Sequence, residues 1–560
     1  MPGGLRVRER GSLIRLYVRE FWRRVLCRFV IRPRFGLGKG RGAKLLVAPT
    51  DLRAIDPYVA EEMLAGRFPL AGKVLDVGSD SPFAFDMPSE LFAVRLQAFS
   101  WLRHIRADKS EESCARARLV IEDWIDRYGS RTTGVAWDMD VVAQRVIAWL
   151  SHSPVVLQEA DAGFYRRFLA SLVHQIRYLN NGADRAYEGL PRFRVRIALA
   201  MASISLQTSA SVIRRAARNL DREIERQILP DGGHISRNPQ AAVELLYDLL
   251  PLRQTYINLG HDVPARLIPA IDRMFPAIRF FRHQGGDLAL FNGATSTLAN
   301  DLMAVLRYDE TAGQPFKALP HSQYQRLAAG DTVLLMDIGY PISDALSRTA
   351  HAGCLSFEMS SGKQRFIVNS GSPRFAGTKL RQLARETAAH STVVMGDRSS
   401  CSISRSSFVG PLFVDGVSDV EVHRQTGTDG SDRLLARHNG YLGPFGVLHE
   451  REVRISADGR KIIGRDRILL PDKELATGVY PEPTVARFHV HPAIRCVQAD
   501  EQTIRLEAND RESWIFKAVS GTAELTEDVF FADASGVRPS EQIEMTFQGP
   551  EVVWSFTHHA

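Results

Sequence analysis

The chain has 560 residues, of which 44% are hydrophobic and 24% are charged, an ordinary composition for globular proteins. A run of about 18 apolar residues is absent, as is a basic-then-apolar leader, so the sequence predicts neither a membrane-spanning helix nor a secretory signal. The formal net charge of +7 would suit an acidic partner such as a uronate polymer, a nucleic acid or an anionic membrane surface.

The cysteines are odd in number and far apart, and no two form a C-x-x-C pair. This pattern predicts neither a disulfide framework nor a thiolate zinc site, and it favours a reducing compartment. We therefore expect a cytoplasmic or peripherally membrane-associated protein. The five residues are Cys27, Cys114, Cys354, Cys401 and Cys496.

The N-terminal segment, residues 1–50, is strongly basic. Residues 1–44 carry eleven Arg and two Lys against two Glu. Apolar residues at three- and four-residue spacing predict a basic amphipathic helix, which can lie on an anionic membrane. The alternative is a helix that docks on the following domain and leaves its arginines in water. The apolar positions are Ile14, Tyr17, Val18, Phe21, Trp22, Val25 and Phe29.

Residues 51–319 show repeated helical periodicity with short turns and almost no strand signal. Eight helices of ordinary length predict an all-α layer. They are expected at Ser89–Arg106, Lys109–Tyr128, Asp138–Leu150, Asp161–Tyr178, Pro191–Leu206, Ala210–Leu229, Pro239–Leu259 and Pro264–Phe280.

From about residue 320 to residue 560 the pattern changes to strands. Asp331–Ile338 is a continuous apolar run, and Arg451–Ile455 and Lys461–Ile463 flank an Asp-Gly turn. About a dozen such strands at short intervals predict stacked antiparallel sheets.

One loop between two predicted helices is conspicuous, with the sequence L-P-D-G-G-H-I-S-R-N-P at residues 229–239. Its glycines permit a tight turn, and Asn238 can cap the helix that begins at Pro239. A turn with a cap does not explain His234 and Arg237, so both are candidate site residues.

A second candidate region runs from Thr349 to Asp397. Alternating residues on both sides of a Ser-Ser-Gly turn predict a β-hairpin, which His351 enters and Asn369 leaves. His390 opens a third short strand. These three polar side chains at strand ends are expected to converge at one edge of a sheet.

In pattern and order the Thr349–Asp397 region resembles the C-terminal β-domain of the heparinase II/III-like polysaccharide lyases, and the 229–239 loop resembles their D-G-G-H-F-E-R-S-P segment. The resemblance implies an α+β multidomain fold, in which an incomplete (α/α) toroid is followed by an antiparallel β-sandwich. It also implies a metal held by a His, an Asp and a His. Here Asn369 takes the place of that Asp, Ala241 and Ala242 replace a Tyr-His pair, and Thr349 replaces a catalytic His.

Lyases of this class cleave beside a uronic acid by β-elimination, which needs a group to neutralise the carboxylate, a base and an acid. His234, Arg237 and Asn238 are candidates for the carboxylate, and His351 is a candidate base from the facing domain. Tyr324 and Tyr441 are the candidate replacement acid or base.

The candidate metal ligands are His351, Asn369 and His390, with zinc as the expected ion. A neutral amide is a poor partner for zinc, so a hydrogen-bonded cluster at the strand ends is the alternative. The leading hypothesis is a polysaccharide lyase-like protein that acts on an acidic, uronate-containing glycan. The alternative is a glycan-binding relative without catalysis. Nucleic acid is not an expected partner, because no aromatic-interleaved basic motif follows the first helix.

Overall fold

The computed structural model describes residues 7–30, 44–106, 108, 110–478, 480–510 and 512–559, with side chains of the first helix described at residues 11–26. Within those ranges, every helix is too short or too polar to cross a membrane. The helices are α1 Val7–Val30, α2 Pro57–Leu64, α3 Glu90–Ala98, α4 Leu102–Ile105, α5 Glu111–Tyr128, α6 Met139–Ser151, α7 Ser153–Val156, α8 Ala162–Gly182, α9 Leu190–Ser205, α10 Ala210–Gln227, α11 Pro239–Asn258, α12 Leu267–Phe281, α13 Ala299–Leu306, α14 Thr378–Leu383 and α15 Leu442–Phe445.

Two features of the helical part differ from the sequence prediction. The helix expected over Ser89–Arg106 is two helices, because Phe99 adopts a left-handed conformation with φ of 58° and ends α3. An unpredicted hairpin is formed by β1 Arg67–Leu70 and β2 Lys73–Asp76. Its turn residues Ala71 and Gly72 both have positive φ, the geometry of a two-residue hairpin turn.

The helices form two layers. Helices α3, α6, α9 and α11 pack side by side in that order, and α5, α8, α10 and α12 pack behind them. Large aromatic side chains fill the space between the layers: Trp124 and Trp149 are fully buried, and their ring centroids lie 5.5 Å apart. The four helices of the first layer are called the inner helices below.

Two antiparallel sheets form the second part. One has the order β19-β20-β15-β7-β6-β5-β4-β3 with β8 beside β15, and the other β11-β12-β13-β14-β21-β18-β17-β16. A separate two-stranded ribbon pairs β9 with β10. The strands are β3 Ala318–Leu319, β4 Tyr324–Ala329, β5 Thr332–Asp337, β6 Phe357–Ser361, β7 Gln364–Val368, β8 Val393–Met395, β9 Ser402–Ile403, β10 Phe413–Asp415, β11 Val420–Thr426, β12 Asp432–His438, β13 Leu448–Ile455, β14 Lys461–Leu469, β15 Thr484–Val490, β16 Arg495–Gln498, β17 Thr503–Glu507, β18 Ser513–Ala518, β19 Glu524–Asp533, β20 Gly536–Thr546 and β21 Glu551–His559.

The two large sheets pack face to face over one apolar core. Phe488 of β15 and Trp554 of β21 are both fully buried, and their rings lie 4.9 Å apart across the sandwich. The other face of the β4–β5 hairpin belongs to the helical core, because Tyr324, Val333 and Leu335 are buried among helical residues. The nine-stranded sheet is therefore covered on both faces in this region.

A buried ion pair joins the helical part to that sheet. The Arg237 guanidinium, in the loop before α11, donates to the Asp337 carboxylate at the end of β5, and the two side chains are 3% and 4% exposed. Arg237 also donates to the carbonyl oxygens of Ser322 at 3.0 Å and Gln323 at 3.2 Å. These bonds fix the loop before α11 relative to the sheet.

Glu358 of β6 is a second buried carboxylate at this interface. Its Oε2 lies 3.1 Å from His283 Nε2, and its Oε1 accepts the backbone N–H groups of Leu290 at 3.0 Å and Asn369 at 3.1 Å. One side chain thus holds a helical-part loop and the end of β7 together.

Helix α1 docks with one face on the sandwich, whereas the alternative considered for this sequence was docking on the domain that follows it in the chain, with its arginines in water. Arg24 donates to the carbonyl oxygen of Phe408 at 2.7 Å, and Arg15 pairs with Asp344 at 3.0 Å. The buried face of α1 is centred on Leu16, which packs with Val409, Leu412 and Val414.

We predict that Asp337→Ala lowers the free energy of unfolding by about 3–5 kcal/mol, because it leaves the Arg237 charge buried without its partner. Glu225→Ala is the matched control, since the Glu225–Arg266 pair has side chains 57% and 50% exposed and should contribute less than about 1 kcal/mol. Urea unfolding of the three proteins measures both values. An equal loss in the two variants would contradict the prediction.

Candidate functional site

The N-terminal ends of two inner helices meet the sandwich: Gly189, before α9, lies against Leu346, and Asn238, before α11, lies near His351. The region along this junction is called the cleft below. Asp140 in the first turn of α6 pairs with Arg194 of α9 at 3.0 Å, and the same guanidinium contacts Glu244 of α11. One guanidinium is thus shared by two carboxylates on the helical wall of the cleft.

Arg95 of α3 is a cation on the same wall. Its side chain is exposed to solvent, and the described residues give it no ion-pair partner. Burial within the surrounding protein nevertheless lowers its pKa, and the charges of Arg194 and of Arg374, from the sandwich, lower it further. The carboxylates of Glu244 and Asp140 act in the opposite direction, so Arg95 lies among both cations and anions of this wall.

The loop at residues 229–239 has a structural explanation at most positions. Asp231 accepts hydrogen bonds from the backbone N–H of Ser322 at 2.7 Å and from its hydroxyl at 2.8 Å. Gly232 has φ of 85°, and a Cβ there would lie 1.8 Å from the Arg273 carbonyl oxygen. This turn therefore requires glycine and attaches the loop to the sheet.

His234 lies inside the turn and is 2% exposed. Its Nδ1 accepts the Ser236 backbone N–H at 3.2 Å, and its Nε2 donates to Gln227 Oε1 at 2.9 Å. Burial lowers the pKa of the ring to about 3. Both ring nitrogens are hydrogen-bonded within the loop and to α10, so His234 stabilises the turn and does not face the cleft.

Arg237 is equally committed, since the interface with Asp337 occupies its guanidinium. Tyr324 is fully buried beneath it, with its hydroxyl donating to the Arg237 carbonyl oxygen at 2.6 Å. Tyr441 is fully buried in the sandwich, and its hydroxyl donates to the Val393 carbonyl oxygen at 2.8 Å. Burial raises the pKa of both phenols, so neither placement suits an acid or base that meets a ligand.

Asn238 and His351 are the two predicted site residues that meet. Both Asn238 Nδ2 and His351 Nε2 lie 3.7 Å from the position that a Gly293 Cβ would take. Asn238 caps α11, because its Oδ1 accepts the Gln240 N–H at 2.8 Å, so its amide N–H group is oriented by the helix end. These distances bring the 229–239 loop of the helical part close to the strand end at His351.

The hydrogen bonds of His390 determine the tautomer of His351. His390 Nδ1 donates to the Glu386 carbonyl oxygen at 2.8 Å, which leaves His390 Nε2 as an acceptor for His351 Nδ1 at 3.1 Å. The outer nitrogen of His351, Nε2, then carries a lone pair. Burial, followed by the neighbouring His390, lowers the pKa of His351 well below its usual value, so the ring is neutral.

Asn369 does not complete an anionic metal site. Its Oδ1 accepts the Ser391 N–H at 3.1 Å, and its Nδ2 lies 3.5 Å from Glu358 Oε1. Across the described residues, no three His, Cys, Asp or Glu side chains converge as metal ligands. The set as it stands fits zinc poorly, although two imidazole nitrogens 3.1 Å apart have nearly the spacing of two ligands on one tetrahedral ion.

Sequence reasoning missed two groups that build the site. Asn292 receives the His351 backbone N–H at 3.2 Å and donates from Nδ2 to the Tyr324 hydroxyl at 2.7 Å, and it has φ of 47°. The Asn292-Gly293 pair is a turn signal that could have indicated this position.

The second missed group is Arg451, which is fully buried in the sandwich. It donates to the carbonyl oxygens of Leu355 at 2.9 Å and Ser391 at 2.6 Å, so it holds the chain just after His351 and just after His390. Asp466 balances its charge through two hydrogen bonds at 2.7 and 3.0 Å. A strand position in the sequence gives no sign of this long-range role.

Comparison with known proteins identifies the family of this chain. The family model of the heparinase II/III-like C-terminal domain matches residues 311–555. FtsZ-localized protein C of Caulobacter vibrioides is 30% identical over 527 residues, which cover 92% of this chain and 90% of the relative. The chain belongs to the heparinase II/III-like family.

Solved structures show the same fold. A heparinase III structure matches with a TM-score of 0.70 and 14% identity, over 96% of this chain and 89% of the other. A mutant of the heparan sulfate lyase HepC of Pedobacter heparinus matches with a TM-score of 0.60 and 16% identity, over 98% and 89%. The predicted helical toroid followed by an antiparallel sandwich is thereby confirmed.

We predict that Asn369→Asp creates a zinc site where the wild-type protein retains none, because it adds a charged oxygen beside the His351–His390 pair. The new carboxylate would lie near Glu358, so the metal-free variant should be less stable than wild type until zinc is added. Elemental analysis after dialysis against zinc, together with thermal melting, measures both effects. The control is the double variant Asn369→Asp, His390→Ala, which should bind no zinc; stoichiometric zinc in wild type would contradict the prediction.

Proposed function

We propose that the chain binds an acidic, uronate-containing glycan in the cleft without cleaving it. One observation carries this proposal: of the six side chains expected to perform catalysis, only Asn238 and His351 lie close together beside Gly293 with a polar atom of each uncommitted to an interior ion pair. The other four are His234, Arg237, Tyr324 and Tyr441, and each is engaged in the interior.

The remaining groups suit recognition of a carboxylate. Asn238 presents an amide donor, and Arg95 is a solvent-exposed cation on the same wall. Arg194 is shared by Asp140 and Glu244 and is therefore not available to a further anion, so Asn238 and Arg95 are the groups proposed to meet the carboxylate.

A lyase is the second candidate, because one observation favours it. His351 Nε2, which carries a lone pair, and the Asn238 amide nitrogen both lie near Gly293. In such an enzyme Asn238 would hold the uronate carboxylate, and His351 would remove the proton beside it and return a proton to the departing oxygen. Because the other four candidate groups are engaged in the interior, binding alone is the leading proposal.

We predict that wild-type protein binds one or more uronate polysaccharides and releases no unsaturated uronate product. His351→Ala and Asn238→Ala should each weaken binding by about tenfold, equivalent to about 1.4 kcal/mol. His423→Ala, at an exposed position of the edge strand β11, is the control and should leave affinity unchanged. Calorimetry measures affinity and ultraviolet absorbance detects the product. Product formation by wild type that His351→Ala abolishes would establish the lyase instead.

The outer face of α1 is the basis for proposing a second partner, an anionic membrane. Opposite the docked Leu16, the helix exposes apolar side chains at three- and four-residue spacing, each between 44% and 66% exposed: Ile14, Val18, Phe21, Trp22 and Leu26. Together with the basic charge of this segment, that surface suits an anionic membrane. The name of the curated relative states localisation with FtsZ, and we propose the same localisation for this chain, at the membrane surface.

We predict that the protein pellets with vesicles of anionic lipid and that purified FtsZ pellets with them only when the protein is present. Trp22→Glu should abolish both effects, because it places a charge on the apolar face. Leu119→Glu is the control, since Leu119 is 57% exposed on α5. Vesicle binding that survives Trp22→Glu would contradict the membrane role of α1, and FtsZ left in the supernatant would contradict the association.

A further inference from the structure

Helix α10, in the second layer of the helical part, exposes a row of arginines on one face. The opposite face is buried, with Leu220, Ile224 and Gln227 in the interior. At 3.6 residues per turn the exposed arginines fall within about a third of the helix circumference and extend along about 18 Å of its length. This arginine face consists of Arg214, Arg215, Arg218, Arg222 and Arg226.

Within the part of the chain that the structure describes, the arginine face has almost no counter-ion. Glu223 is the one carboxylate there that approaches it, at 3.9 Å from Arg226, and that carboxylate is 3% exposed and lies 2.8 Å from Arg192 of α9. Glu225 is also on α10, but it pairs with Arg266 at 2.7 Å. The positive charge of this face is therefore available to an anionic surface outside the protein.

The C-terminal end of α10 is connected to α1 by a chain of polar contacts. Arg23 of α1 donates to the Tyr187 hydroxyl at 2.5 Å. Glu188, the next residue, lies 3.3 Å from Arg192, which in turn pairs with Glu223 of α10. The last turn of α10 thus lies close to the helix for which we propose membrane binding.

The N-terminal end of α10 lies beside the chain that follows α1. The carbonyl oxygen of Lys44 accepts the Gln207 N–H at 2.8 Å, and Leu45 forms an isolated β-bridge with Leu206. Gln207 is three residues before the start of α10 at Ala210. The basic N-terminal segment therefore meets the protein near both ends of α10.

The composition of α10 favours a membrane over a nucleic acid as the surface that it meets. The helix contains no aromatic residue, so it lacks the groups on which the bases of a single strand would stack. Its arginines lie on the convex outside of a helix rather than in a groove, which suits a flat layer of anionic head groups.

We infer that the arginine face of α10 binds the phosphate groups of the same anionic membrane that α1 contacts. This inference rests on the membrane role proposed for α1. The two helices contribute differently: the apolar face of α1 inserts between lipids, whereas the arginines add an attraction that requires anionic lipid and decays within about 10 Å. Each basic residue close to such a surface strengthens binding by about fivefold.

The test is cosedimentation of the protein with phosphatidylcholine vesicles, with and without phosphatidylglycerol. In the double variant Arg214→Glu, Arg218→Glu we expect binding to the phosphatidylglycerol vesicles to weaken by about tenfold or more, because two attractive charges become repulsive. Binding to pure phosphatidylcholine should equal that of wild type, because the apolar face of α1 is unchanged.

The matched control is the double variant Arg495→Glu, Arg505→Glu, which changes the net charge by the same amount at β16 and β17. These side chains are 78% and 51% exposed at an edge of the sandwich. The control should bind anionic vesicles within about twofold of wild type. An equal loss in the two double variants would overturn the inference, because net charge rather than the arginine face would then govern binding.

Further outcomes separate this inference from the proposal on which it rests. Wild-type affinity in the α10 variant, together with loss in Trp22→Glu, would overturn the arginine face and leave the role of α1 intact. Absence of wild-type binding to every anionic vesicle would overturn both. Duplex DNA or polyglutamate that binds wild type but not the α10 variant, with equal vesicle binding by the two proteins, would assign the face to a nucleic acid or to an acidic polypeptide instead.

Discussion

The buried ion pair between Arg237 and Asp337 is the interaction on which the cleft depends. It lies where the loop before α11 meets the end of β5, and almost no solvent reaches either side chain. A pair in that environment gains little net stability, because both charges are desolvated, but a displaced partner would leave an unpaired charge. Any other arrangement of the two parts would leave one of these charges buried without its partner, and this free-energy cost favours a single arrangement. Glu358 is a second buried carboxylate with the same effect.

This arrangement explains why most of the polar residues at the interface cannot serve a ligand. Arg237, Tyr324 and Asn292 satisfy one another and Asp337, and His234 satisfies the turn that precedes them. Buried polar groups need partners, so a rigid interface uses up side chains that would otherwise be available for chemistry. What remains towards the cleft is the amide of Asn238 and one nitrogen of His351.

Buried residues of the sandwich fix the positions of the His351 and His390 rings. Arg451 holds carbonyl groups next to both histidine loops, and Asp466 keeps the guanidinium charge compensated. Since the His390 ring bonds to a carbonyl rather than to a carboxylate, no anion favours protonation of the pair. Burial dominates, and the pair remains uncharged at neutral pH.

The sequence by itself determined the order of the two parts, helices before strands, and the cap of α11 at Asn238. These follow from local signals: hydrophobic periodicity, turn glycines and capping residues act over a few positions. Only the tertiary structure decided which polar residues face the cleft. His234 and Tyr324 carry the same chemical groups in either place, and their burial depends on contacts with Gln227 and, across more than eighty residues of chain, with Arg237. The same holds for the β1–β2 hairpin, because four-residue strands give weak periodicity.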